Sequence, residues 1–497
     1  MNELLYGLSI VLTPENLMYC FAGVVIGTLV GVMPGLGPVA TMSLLYPSTI
    51  HLPPVSGMIM MSAVFYGAMY GGSTTSILLN MPGEAASVVT TLDGYQMAKQ
   101  GRAGPALGIS AFGSFIGGTL SVVALMLIAP SLARAALRFG FPEYFALMAS
   151  GMVILTFMSS GSMLKSLMMV AFGSFLGTIG MDMITGTPRF TFGVQTVMEN
   201  LGVVPVVMGL FGISEVFLNI EQGVSREVFA KKISNIYPSL KDWNESIGAI
   251  VRGTGLGFFL GILPGAGAIV ASLTSYAIEK KVSKHPEKFG TGMIAGVAGP
   301  ETANNAAVGA GFIPLLTLAV PASPALALLL GFLMSYGVQV GPLLMTENRD
   351  VFWGVIMSMY SGNIMLLILN LPLIGIWIKV LKIPYVLLFP LILLLCVIGA
   401  YSINNNPVEV VIMIVFGVIG YLMKKFDYAA APLMMAMILS PLMERNLRQS
   451  LLLSHGDFTI FFTRPLSAIL MGVAILLLIV AVLPSMKARI WERMKES

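Results

Sequence analysis

The sequence contains a run of hydroxyl and amide side chains that could bind a polar ligand within an apolar region. The run consists of Gly71-Gly72-Ser73-Thr74-Thr75-Ser76, followed by Asn80. Buried polar groups need hydrogen-bond partners, and a ligand would supply them. Alternatively, each hydroxyl bonds to a carbonyl of the preceding helical turn, as Ser and Thr commonly do. We predict that Ser73, Thr74, Thr75 and Asn80 contact a substrate.

A second polar cluster, Gly299-Pro300-Glu301-Thr302-Ala303-Asn304-Asn305, combines a carboxylate with two amides. Glu301, Asn304 and Asn305 fall at i, i+3 and i+4, so a helix presents them on one face. Such a set could bind sodium or a proton. Alternatively, Pro300 and Glu301 mark an ordinary helix start, with proline at N1 and an acid in the first turn. We predict that these three residues form a cation-coupling site.

Three further acidic residues have possible structural roles. Glu84 follows Pro82-Gly83 and has the same two interpretations as Glu301. Asp182 and Glu215 are expected in loops or at helix caps.

The composition excludes a soluble protein. The 497 residues are 56% hydrophobic and only 10% charged, with a mean hydropathy of +0.88. Soluble domains carry about 25% charged residues. The net charge of 27 − 23 = +4 is too small to indicate a nucleic-acid partner. The sequence therefore predicts a polytopic protein of the lipid bilayer.

The reactive side chains argue against an enzyme. Cys20 and Cys396 lie in apolar runs, so neither a disulfide framework nor a thiolate metal site is expected. The three histidines, His51, His285 and His455, stand far apart in or near loops. No catalytic triad or zinc protease site is apparent. We expect no cofactor and no metal other than a bound sodium ion.

The membrane segments follow from the apolar runs. A spanning helix needs about 20 mostly apolar residues. We predict an all-α fold with 10 to 12 membrane segments, and abundant Gly (54) and Pro (28) predict closely packed and interrupted helices. Some candidates are too long for one crossing and some too short: 17–47, 56–80, 105–130, 143–180, 201–220, 247–278, 291–335, 351–380, 384–402, 408–423, 427–442 and 465–485.

Basic residues assign the sides of the membrane. Residues 1–98 contain no Lys or Arg, whereas Arg226, Lys231, Lys232 and Lys241 lie in the polar stretch 221–246 and Lys280, Lys281, Lys284 and Lys288 in 279–290. The positive-inside rule places both basic stretches in the cytoplasm. The segment between them then enters and returns as a hairpin. Alternatively, it crosses once and 221–246 lies on the interface. We expect a periplasmic N-terminus and a cytoplasmic C-terminus.

An internal repeat divides the chain. Gly31-Val-Met-Pro34-Gly35-Leu-Gly37 recurs as Gly261-Ile-Leu-Pro264-Gly265-Ala-Gly267, and each copy precedes a second proline break, Asn80-Met81-Pro82-Gly83 or Ala319-Val320-Pro321-Ala322. The opposite charges that flank the copies predict inverted halves. The predicted divisions are a first repeat at 1–220, a cytoplasmic linker at 221–246, a second repeat at 247–486 and a basic tail at 487–497.

The breaks themselves could bind an anion. A Pro-Gly-x-Gly break frees backbone N–H groups at the start of a half-helix, where the helix dipole favours negative charge. Freed carbonyls could coordinate sodium. The alternative is a glycine-rich packing notch. We predict that Gly35, Gly37, Gly265, Gly267 and Ser323 contact the substrate, and that the hydroxyl run meets the segment from Pro321 to Ser323.

On these residues the sequence resembles the large membrane subunit of the tripartite tricarboxylate transporters, the TctA family. The resemblance extends from about residue 17 to about residue 485. It is most specific in Gly31 to Pro47, in Gly71 to Gly104 with Leu92-Asp93-Gly94-Tyr95, in Leu263 to Asn305, and in Lys284-His285-Pro286-Glu287-Lys288-Phe289-Gly290. Two positions differ from the family pattern: Ala322 replaces a glycine, and Val340 replaces a proline before Gly341-Pro342.

The resemblance implies secondary transport of small organic acids, such as citrate and other di- or tricarboxylates, into a bacterial cell. It implies coupling to a sodium or proton gradient, a small membrane subunit, a periplasmic substrate-binding protein and an elevator-like plan in the inner membrane. The departures at Ala322 and Val340 bear on which acid is carried. A passive anion channel or a membrane-embedded enzyme is the alternative.

Overall fold

The computed structural model describes residues 2–33, 37–158, 162–182, 184–222, 235–265, 267–381 and 385–482. It is 80% helical, which confirms the predicted all-α class. Strands Gly180–Met181 and Pro188–Arg189 form one short antiparallel hairpin. Several predicted features lie outside the described residues, namely Pro34, Gly35, the basic residues Arg226, Lys231 and Lys232, and the tail 487–497.

The first part of the chain contains eleven helices, the last two joined by a π-helical turn at Met208–Ile213 into one rod. They are α1 (Asn2–Val11), α2 (Pro14–Val32), α3 (Gly37–Thr49), α4 (Pro54–Leu79), α5 (Thr90–Lys99), α6 (Ala103–Ala136), α7 (Phe141–Met158), α8 (Met163–Gly177), α9 (Gln195–Glu199), α10 (Val203–Val207) and α11 (Ser214–Gln222).

Twelve helices follow. They are α12 (Leu240–Ile262), α13 (Gly267–Val282), α14 (Ala295–Leu318), α15 (Pro324–Ser335), α16 (Leu344–Glu347), α17 (Arg349–Asn370), α18 (Ile374–Val380), α19 (Tyr385–Asn404), α20 (Pro407–Lys425), α21 (Ala430–Leu453), α22 (Ile460–Thr463) and α23 (Pro465–Val482). Short 3-10 turns cover Ala85–Val88 and Pro286–Lys288.

Local capping fixes where several of these helices begin. Proline occupies the first turn of α2, α4, α15 and α20, where its missing N–H costs nothing. At α12, Ser239 and Asp242 form a reciprocal capping box. This box starts α12 at Leu240, inside the stretch predicted as a linker.

The described part of the chain has six helices that are long and apolar enough to cross a membrane. They are Pro14–Val32, Ala103–Ala136, Phe141–Met158, Val203–Glu221, Arg349–Asn370 and Pro407–Lys425. Four shorter apolar helices cover Met163–Gly177, Pro324–Ser335, Phe389–Asn404 and Pro465–Val480. The chain is thus a multi-pass membrane protein, and the count of 10 to 12 segments stays a prediction.

A seam of glycines joins α2 to α4. Gly23, Gly27 and Gly31 recur every fourth residue, so they share one face of α2. A Cβ on any of them would lie 2.2 to 2.4 Å from a carbonyl oxygen of α4, in order those of Met60, Val64 and Ala68. Only glycine permits this approach. Because the residue numbers of these contacts increase in the same direction along both helices, α2 and α4 run parallel.

A second, equivalent seam of glycines joins α12 to α14. A Cβ on Gly253, Gly257 or Gly261 would lie 2.3 to 2.5 Å from the carbonyl oxygens of Gly299, Ala303 and Ala307, again in ascending order. The helix pair α12 and α14 therefore runs parallel, and its glycine spacing matches that of α2.

The two pairs meet through α4 and α14, which run in opposite directions. Ser73 of α4 bonds to Glu301 of α14, and the rings of Phe65 and Phe312 lie 6.5 Å apart. Residue numbers at these contacts therefore increase along α4 while they decrease along α14. α14 is buried along its whole length, and α4 along nearly all of it. These two helices form the centre of the molecule.

Helices α6 and α17 pack across the two pairs. Gly117 of α6 faces Thr302 of α14, where a Cβ would lie 2.4 Å from the Thr302 carbonyl oxygen. Gly362 of α17 faces Tyr66 of α4, with a Cβ 2.4 Å from the phenol oxygen. Each half therefore contributes a helix that packs on the central helix of the other.

The segment predicted at 247–278 is a helical hairpin. α12 and α13 pack on each other on either side of the turn around Pro264. Arg252 and Glu279, at matching distances from the turn, form a bidentate ion pair with N–O distances of 2.8 and 2.6 Å. This geometry is that of a hairpin rather than of one continuous crossing.

Asp93 ties α5 to the loop before α14. Its Oδ1 accepts the backbone N–H groups of Gly290, Gly292 and Met293 at 2.7 to 2.9 Å, and its Oδ2 accepts the Tyr276 hydroxyl at 2.9 Å. Asp93 is fully buried. The Leu92-Asp93-Gly94-Tyr95 motif thus has a structural role, since it anchors the Lys284–Gly290 motif of the other half.

Candidate substrate and cation site

Matching breaks interrupt both halves with nearly the same backbone geometry. The C-cap residues of α2 and α12 are Met33 and Leu263, both in the extended region. α3 and α13 then begin at Gly37 and Gly267, with φ of 54° and 49°. The left-handed region suits glycine and few other residues. The glycines at these two positions therefore permit the chain to turn.

The later breaks also match. α4 ends at Asn80 with φ 57° and ψ 28°, and α14 ends at Ala319 with φ 57° and ψ 31°. Asn tolerates this left-handed conformation, whereas Ala adopts it at a cost. The two C-terminal caps thus share a backbone geometry although their residue types differ.

Within each half the first and second breaks touch. In the first half, a Cβ on Gly83 would lie only 1.9 Å from the carbonyl oxygen of Gly31. In the second half, the N–H of Gly265 donates to the carbonyl of Ala322 at 3.0 Å. Each pair of breaks is therefore one irregular region in which backbone N–H groups at helix starts are not used by the helix.

Space lies in front of the two helix starts. Among the described residues, a Cβ on Gly37 would meet no atom within 4 Å, and one on Gly267 would meet only the Ala322 oxygen at 3.9 Å. Gly265, in contrast, is tightly packed, since its Cβ would lie 2.4 Å from the Leu155 Cα. Gly37 and Gly267 thus leave room for a ligand, and Gly265 serves packing.

The hydroxyl run divides between internal bonds and external ones. Thr75 and Ser76 both donate to the carbonyl of Gly72 at 3.0 Å, which agrees with the alternative that the hydroxyls bond to the preceding helical turn. Ser76 also reaches Ser87 of the chain that folds back after the break. The Ser73 hydroxyl lies 3.4 Å from the carbonyl oxygen of Met69 and closer, at 2.5 Å, to a carboxylate oxygen of the other half, to which it donates. Thr74 faces the small cavity described below.

Glu301 is the carboxylate that Ser73 binds. Its Oε2 accepts the Ser73 hydroxyl at 2.5 Å, and its Oε1 accepts the hydroxyl of Thr90. The side chain is only 1% exposed. α14 begins at Ala295, so Pro300 and Glu301 lie inside the helix. The helix-start interpretation of Pro300-Glu301 is therefore wrong.

A second buried carboxylate, Glu84, lies beside it. Its Oε2 accepts the N–H of Ala86 at 2.7 Å and caps the 3-10 turn, and its Oε1 accepts the Asn304 amide at 3.3 Å. Glu84 thus has the capping role considered for it, and a role in cation binding stays a prediction. The Asn304 Oδ1 is buried and has no hydrogen-bond partner within the described residues. Glu84 and Asn304 therefore bridge the two halves.

No ion pair in the described ranges includes Glu84 or Glu301, and Lys, Arg and His side chains provide them with no counter-charge there. The described chain also has no group of three His, Cys, Asp or Glu that could hold a metal ion. A buried, unpaired carboxylate is strongly unfavourable. The arrangement suits uptake of a proton or a monovalent cation.

Other predicted site residues lie apart from this centre. Asn305 bonds to Ser114 of α6 at 2.8 Å and does not face the Glu301 carboxylate. Asn80 is exposed at the end of α4. Ser323 caps α15, its oxygen accepting the Leu326 N–H at 3.4 Å. The predicted sites are thus spread over several points of both halves.

The structure does not bring the hydroxyl run to the segment Pro321–Ser323. Ser73 bonds to Glu301, whereas the segment after α14 folds back so that Ala322 lies beside Gly311, ten residues further along the helix. At 1.5 Å per residue this is roughly 15 Å along α14.

Asp182 and Glu215 have structural partners. Asp182 lies in the turn of the β hairpin and pairs with Arg189 and Arg448, and Glu215 of α11 pairs with Lys424 of α20. Thr90 is a site residue that the sequence analysis missed. It carries no motif that distinguishes it from Thr91, because its role depends on contact with Glu301, 211 residues away.

Comparison with known proteins places these features in a family. A model of the tripartite tricarboxylate transporter TctA family matches residues 17–435. An uncharacterized 52.8 kDa protein in the TAR-I ttuC' 3' region of Agrobacterium vitis is 48% identical over 488 residues, 98% of this chain and 97% of the relative. An uncharacterized protein in the TAR-II ttuC' 3' region of the same organism is 49% identical over 233 residues, 47% of this chain and 96% of the relative.

No solved structure matches this chain. The family match covers most of the sequence, including the Pro-Gly breaks, the hydroxyl run and the Glu84 and Glu301 cluster. The chain belongs to the TctA family of tripartite tricarboxylate transporters.

Proposed function

We propose that this chain is the transporting subunit of a secondary system that imports small organic acids, di- or tricarboxylates such as citrate, driven by a sodium or proton gradient. The observation that carries the proposal is the buried pair Glu84 and Glu301, which joins the two halves and has no basic partner among the described residues. A cation from the gradient would offset negative charge at this pair.

Coupling follows from where the carboxylates lie. Glu301 belongs to α14, whereas its partners Ser73 and Thr90 belong to α4 and α5. A charge left uncompensated between packed helices raises the energy of that packing. Cation binding would therefore favour one arrangement of the halves over another, which is the energetic requirement for coupled transport.

The substrate would bind through backbone groups. The breaks contain no Lys or Arg, so a carboxylate substrate would rely on the helix starts at Gly37 and Gly267, whose N–H groups and dipoles favour anions. Room beside these glycines supports this role. Gly35 precedes the first of these helix starts in the sequence, and Ser323 caps α15. Thr74, Thr75 and Asn80 remain predicted contributors of polar groups.

We further propose that residues 1–220 and 247–486 are inverted repeats that operate by an elevator-like movement. The matched seams, matched breaks and opposite directions of α4 and α14 support this proposal. Transporters with broken helices in inverted halves bind substrate near the middle of the membrane.

The partners and the location follow from the family. We expect a small membrane subunit and a periplasmic substrate-binding protein, with this chain in the bacterial inner membrane, its N-terminus periplasmic and its C-terminus cytoplasmic. Nucleic acid is not an expected partner.

The test is uptake of labelled di- and tricarboxylates by cells that express this chain. Uptake is measured with and without the small subunit and the binding protein, in sodium and in potassium buffer and with and without a proton gradient. We expect accumulation that needs all three proteins and one of the two gradients. Gradient-independent equilibration would instead indicate a passive channel.

Replacing Glu301 with Gln tests the coupling site. The amide is neutral, so we expect gradient-driven accumulation to fall at least about tenfold, while exchange of labelled for unlabelled substrate persists. Glu409→Gln is a matched control, because Glu409 is also a buried carboxylate, 3% exposed, but lies on α20 away from the α4 and α14 contact. Accumulation by Glu301→Gln with wild-type cation dependence would contradict the assignment.

A further inference from the structure

A small polar cavity adjoins the carboxylate cluster on the side of α6. It is lined by Tyr70, Ser73, Thr74, Leu107, Ser110, Ala111 and Asn370. The volume open to the centre of a water-sized sphere is about 10 Å³, close to the least that one water molecule requires. The cavity therefore fits a single small particle and cannot hold an organic acid.

The walls of the cavity come from three helices. Tyr70, Ser73 and Thr74 fall at i, i+3 and i+4 on α4, and so share one face. Leu107, Ser110 and Ala111 have the same spacing on α6. Asn370, at the end of α17, completes the lining.

Two oxygen atoms of the lining residues lack partners within the described part of the chain. The phenol oxygen of Tyr70 and the amide oxygen of Asn370 are buried and make no hydrogen bond within the described ranges. Tyr70 is 3% exposed and Asn370 is 4% exposed. The Asn370 Nδ2 donates to the Leu366 carbonyl at 2.9 Å, which leaves Oδ1 as the free atom. Buried oxygens without partners are unfavourable, so a bound species would stabilise both.

The chemistry of the lining selects the species. Its polar groups are hydroxyl oxygens and one amide oxygen, the hard donors that suit alkali and alkaline-earth cations. No carboxylate is among the lining residues, whereas calcium and magnesium sites usually use one or more. The Glu301 carboxylate is close by, because Ser73 lines the cavity and donates to it.

We propose that this cavity binds one dehydrated sodium ion through oxygens of Tyr70, Thr74, Ser110 and Asn370, beside Ser73 and the charge of Glu301. This inference rests on the proposed function, since it gives the coupling cation a location. It assigns that location to a cavity which Asn304 and Asn305, the amides singled out in the sequence, do not line.

The test is cation-dependent stability of the purified chain, without any organic acid. Thermal unfolding is followed in sodium, lithium, potassium and choline chloride at constant ionic strength. A ligand that binds the folded state raises the unfolding temperature with its concentration. We expect sodium to raise it in a saturable manner and potassium and choline not to do so.

Variants locate the effect. Tyr70→Phe and Asn370→Leu each remove one oxygen at nearly constant volume, and we expect each to raise the half-saturating sodium concentration about tenfold. Thr74→Val is a third variant, should either of these not fold. Tyr66→Phe is the control: it removes a phenol one turn earlier on α4, which bonds to the Ser358 carbonyl at 3.3 Å and does not line the cavity. Its sodium response should match the wild type.

Two results would overturn the sodium site. One is equal stabilisation by sodium and potassium, the outcome expected of an ordered water alone. The other is a wild-type sodium response in the cavity variants. Both leave organic-acid uptake driven by protons intact. Conversely, sodium-specific stabilisation with no uptake of any acid would refute the proposed function and retain the site.

Discussion

At the scale of single residues, the environment decides what each carboxylate does. Glu84 and Glu301 are buried between helices, and within the described ranges they accept hydrogen bonds only from neutral donors, a hydroxyl, an amide or a backbone N–H. Asp93 is equally buried, yet three backbone N–H groups hold it in a structural role. The number and kind of donors therefore separates the proposed coupling residues from an anchor.

Asp182 offers a residue-scale prediction outside the membrane segments. The N–H of Ile184 and the hydroxyl of Thr185, followed by the guanidinium groups of Arg448 and Arg189, hold the pKa of Asp182 well below its ordinary value. The ionised carboxylate therefore stabilises the folded state at pH values above the unfolded pKa, about 3.9. This contribution is lost as pH falls towards the lower pKa of the folded state.

Asp182→Asn should accordingly unfold at a lower temperature than the wild type at pH 7. The difference should begin to shrink as the pH is lowered below about 4, because the carboxyl of the unfolded wild type then takes up a proton that the folded protein does not, and this favours unfolding. Thermal unfolding in detergent between pH 3 and pH 7 measures it. A difference that is constant over this range would show that Asp182 contributes nothing through its charge.

At the scale of elements, the breaks and the glycine seams recur together. The segments 17–47, 143–180, 247–278 and 291–335, each too long for one crossing, are all divided in the structure. They become α2 and α3, α7 and α8, α12 and α13, and α14 and α15. The excess length of an apolar run thus signalled two helices rather than one.

Two glycines of α12 test the seam. A Cβ on Gly257 would lie 2.3 Å from the Ala303 carbonyl oxygen, whereas one on Gly255 would meet no atom within 4 Å. We expect Gly257→Ala to destabilise the protein by about 1–3 kcal/mol through overpacking. Gly255→Ala should be neutral, or stabilising by up to about 1 kcal/mol, because Ala favours the helix. Unfolding temperatures of the pair decide it, and equal effects would contradict the seam.

The second breaks give another matched pair. A Cβ on Gly83 would overlap the Gly31 oxygen at 1.9 Å and lie 2.6 Å from the Gly72 Cα. In the second half, Ala322 already carries a methyl group, 3.5 Å from where a Cβ on Gly311 would lie. The methyl group of Ala322 is thus accommodated next to Gly311.

We expect Gly83→Ala to lower the yield of folded protein and to abolish uptake, since two breaks would be forced apart. Ala322→Gly should change stability by no more than about 1 kcal/mol, the backbone-entropy cost of a glycine. Size-exclusion profiles in detergent and uptake assays would compare the two variants. A well-folded, active Gly83→Ala protein would show that the first-half breaks do not need their close contact.

At the scale of the whole molecule, opposite directions of α4 and α14 make a prediction about sides. His51 lies in the turn between α3 and α4, and Lys284 lies in the matching turn between α13 and α14. Both are exposed. Inverted halves require these two turns to face opposite sides of the membrane, His51 the periplasm and Lys284 the cytoplasm.

Single cysteines at these positions test the topology. We expect His51→Cys to react with an impermeant maleimide in intact cells, and Lys284→Cys to react only after the membrane is opened. The native thiols Cys20 and Cys396 are buried and at most 1% exposed, so the wild-type chain supplies the background. Labelling of both positions from one side would refute the inverted arrangement.

The sequence by itself determined the features that depend on neighbouring residues. Composition and run length indicate a helical membrane protein, because lipid demands apolar surfaces and internally bonded backbones. The Pro-Gly motifs mark the breaks at Gly37, Gly267, Asn80 and Ala319, because backbone geometry is a local property. The resemblance that these motifs carry identifies the family.

Only the tertiary structure decided which distant groups meet. Glu84 and Glu301 lie 217 residues apart in the chain, and Tyr70, Ser110 and Asn370 come from three helices, yet each set assembles at one point. The spacing of Glu301, Asn304 and Asn305 correctly indicated a helix. It could not show that Glu301 faces Ser73 and Thr90 while Asn305 faces Ser114, because the neighbours around a helix are set by packing between segments, which local sequence does not encode.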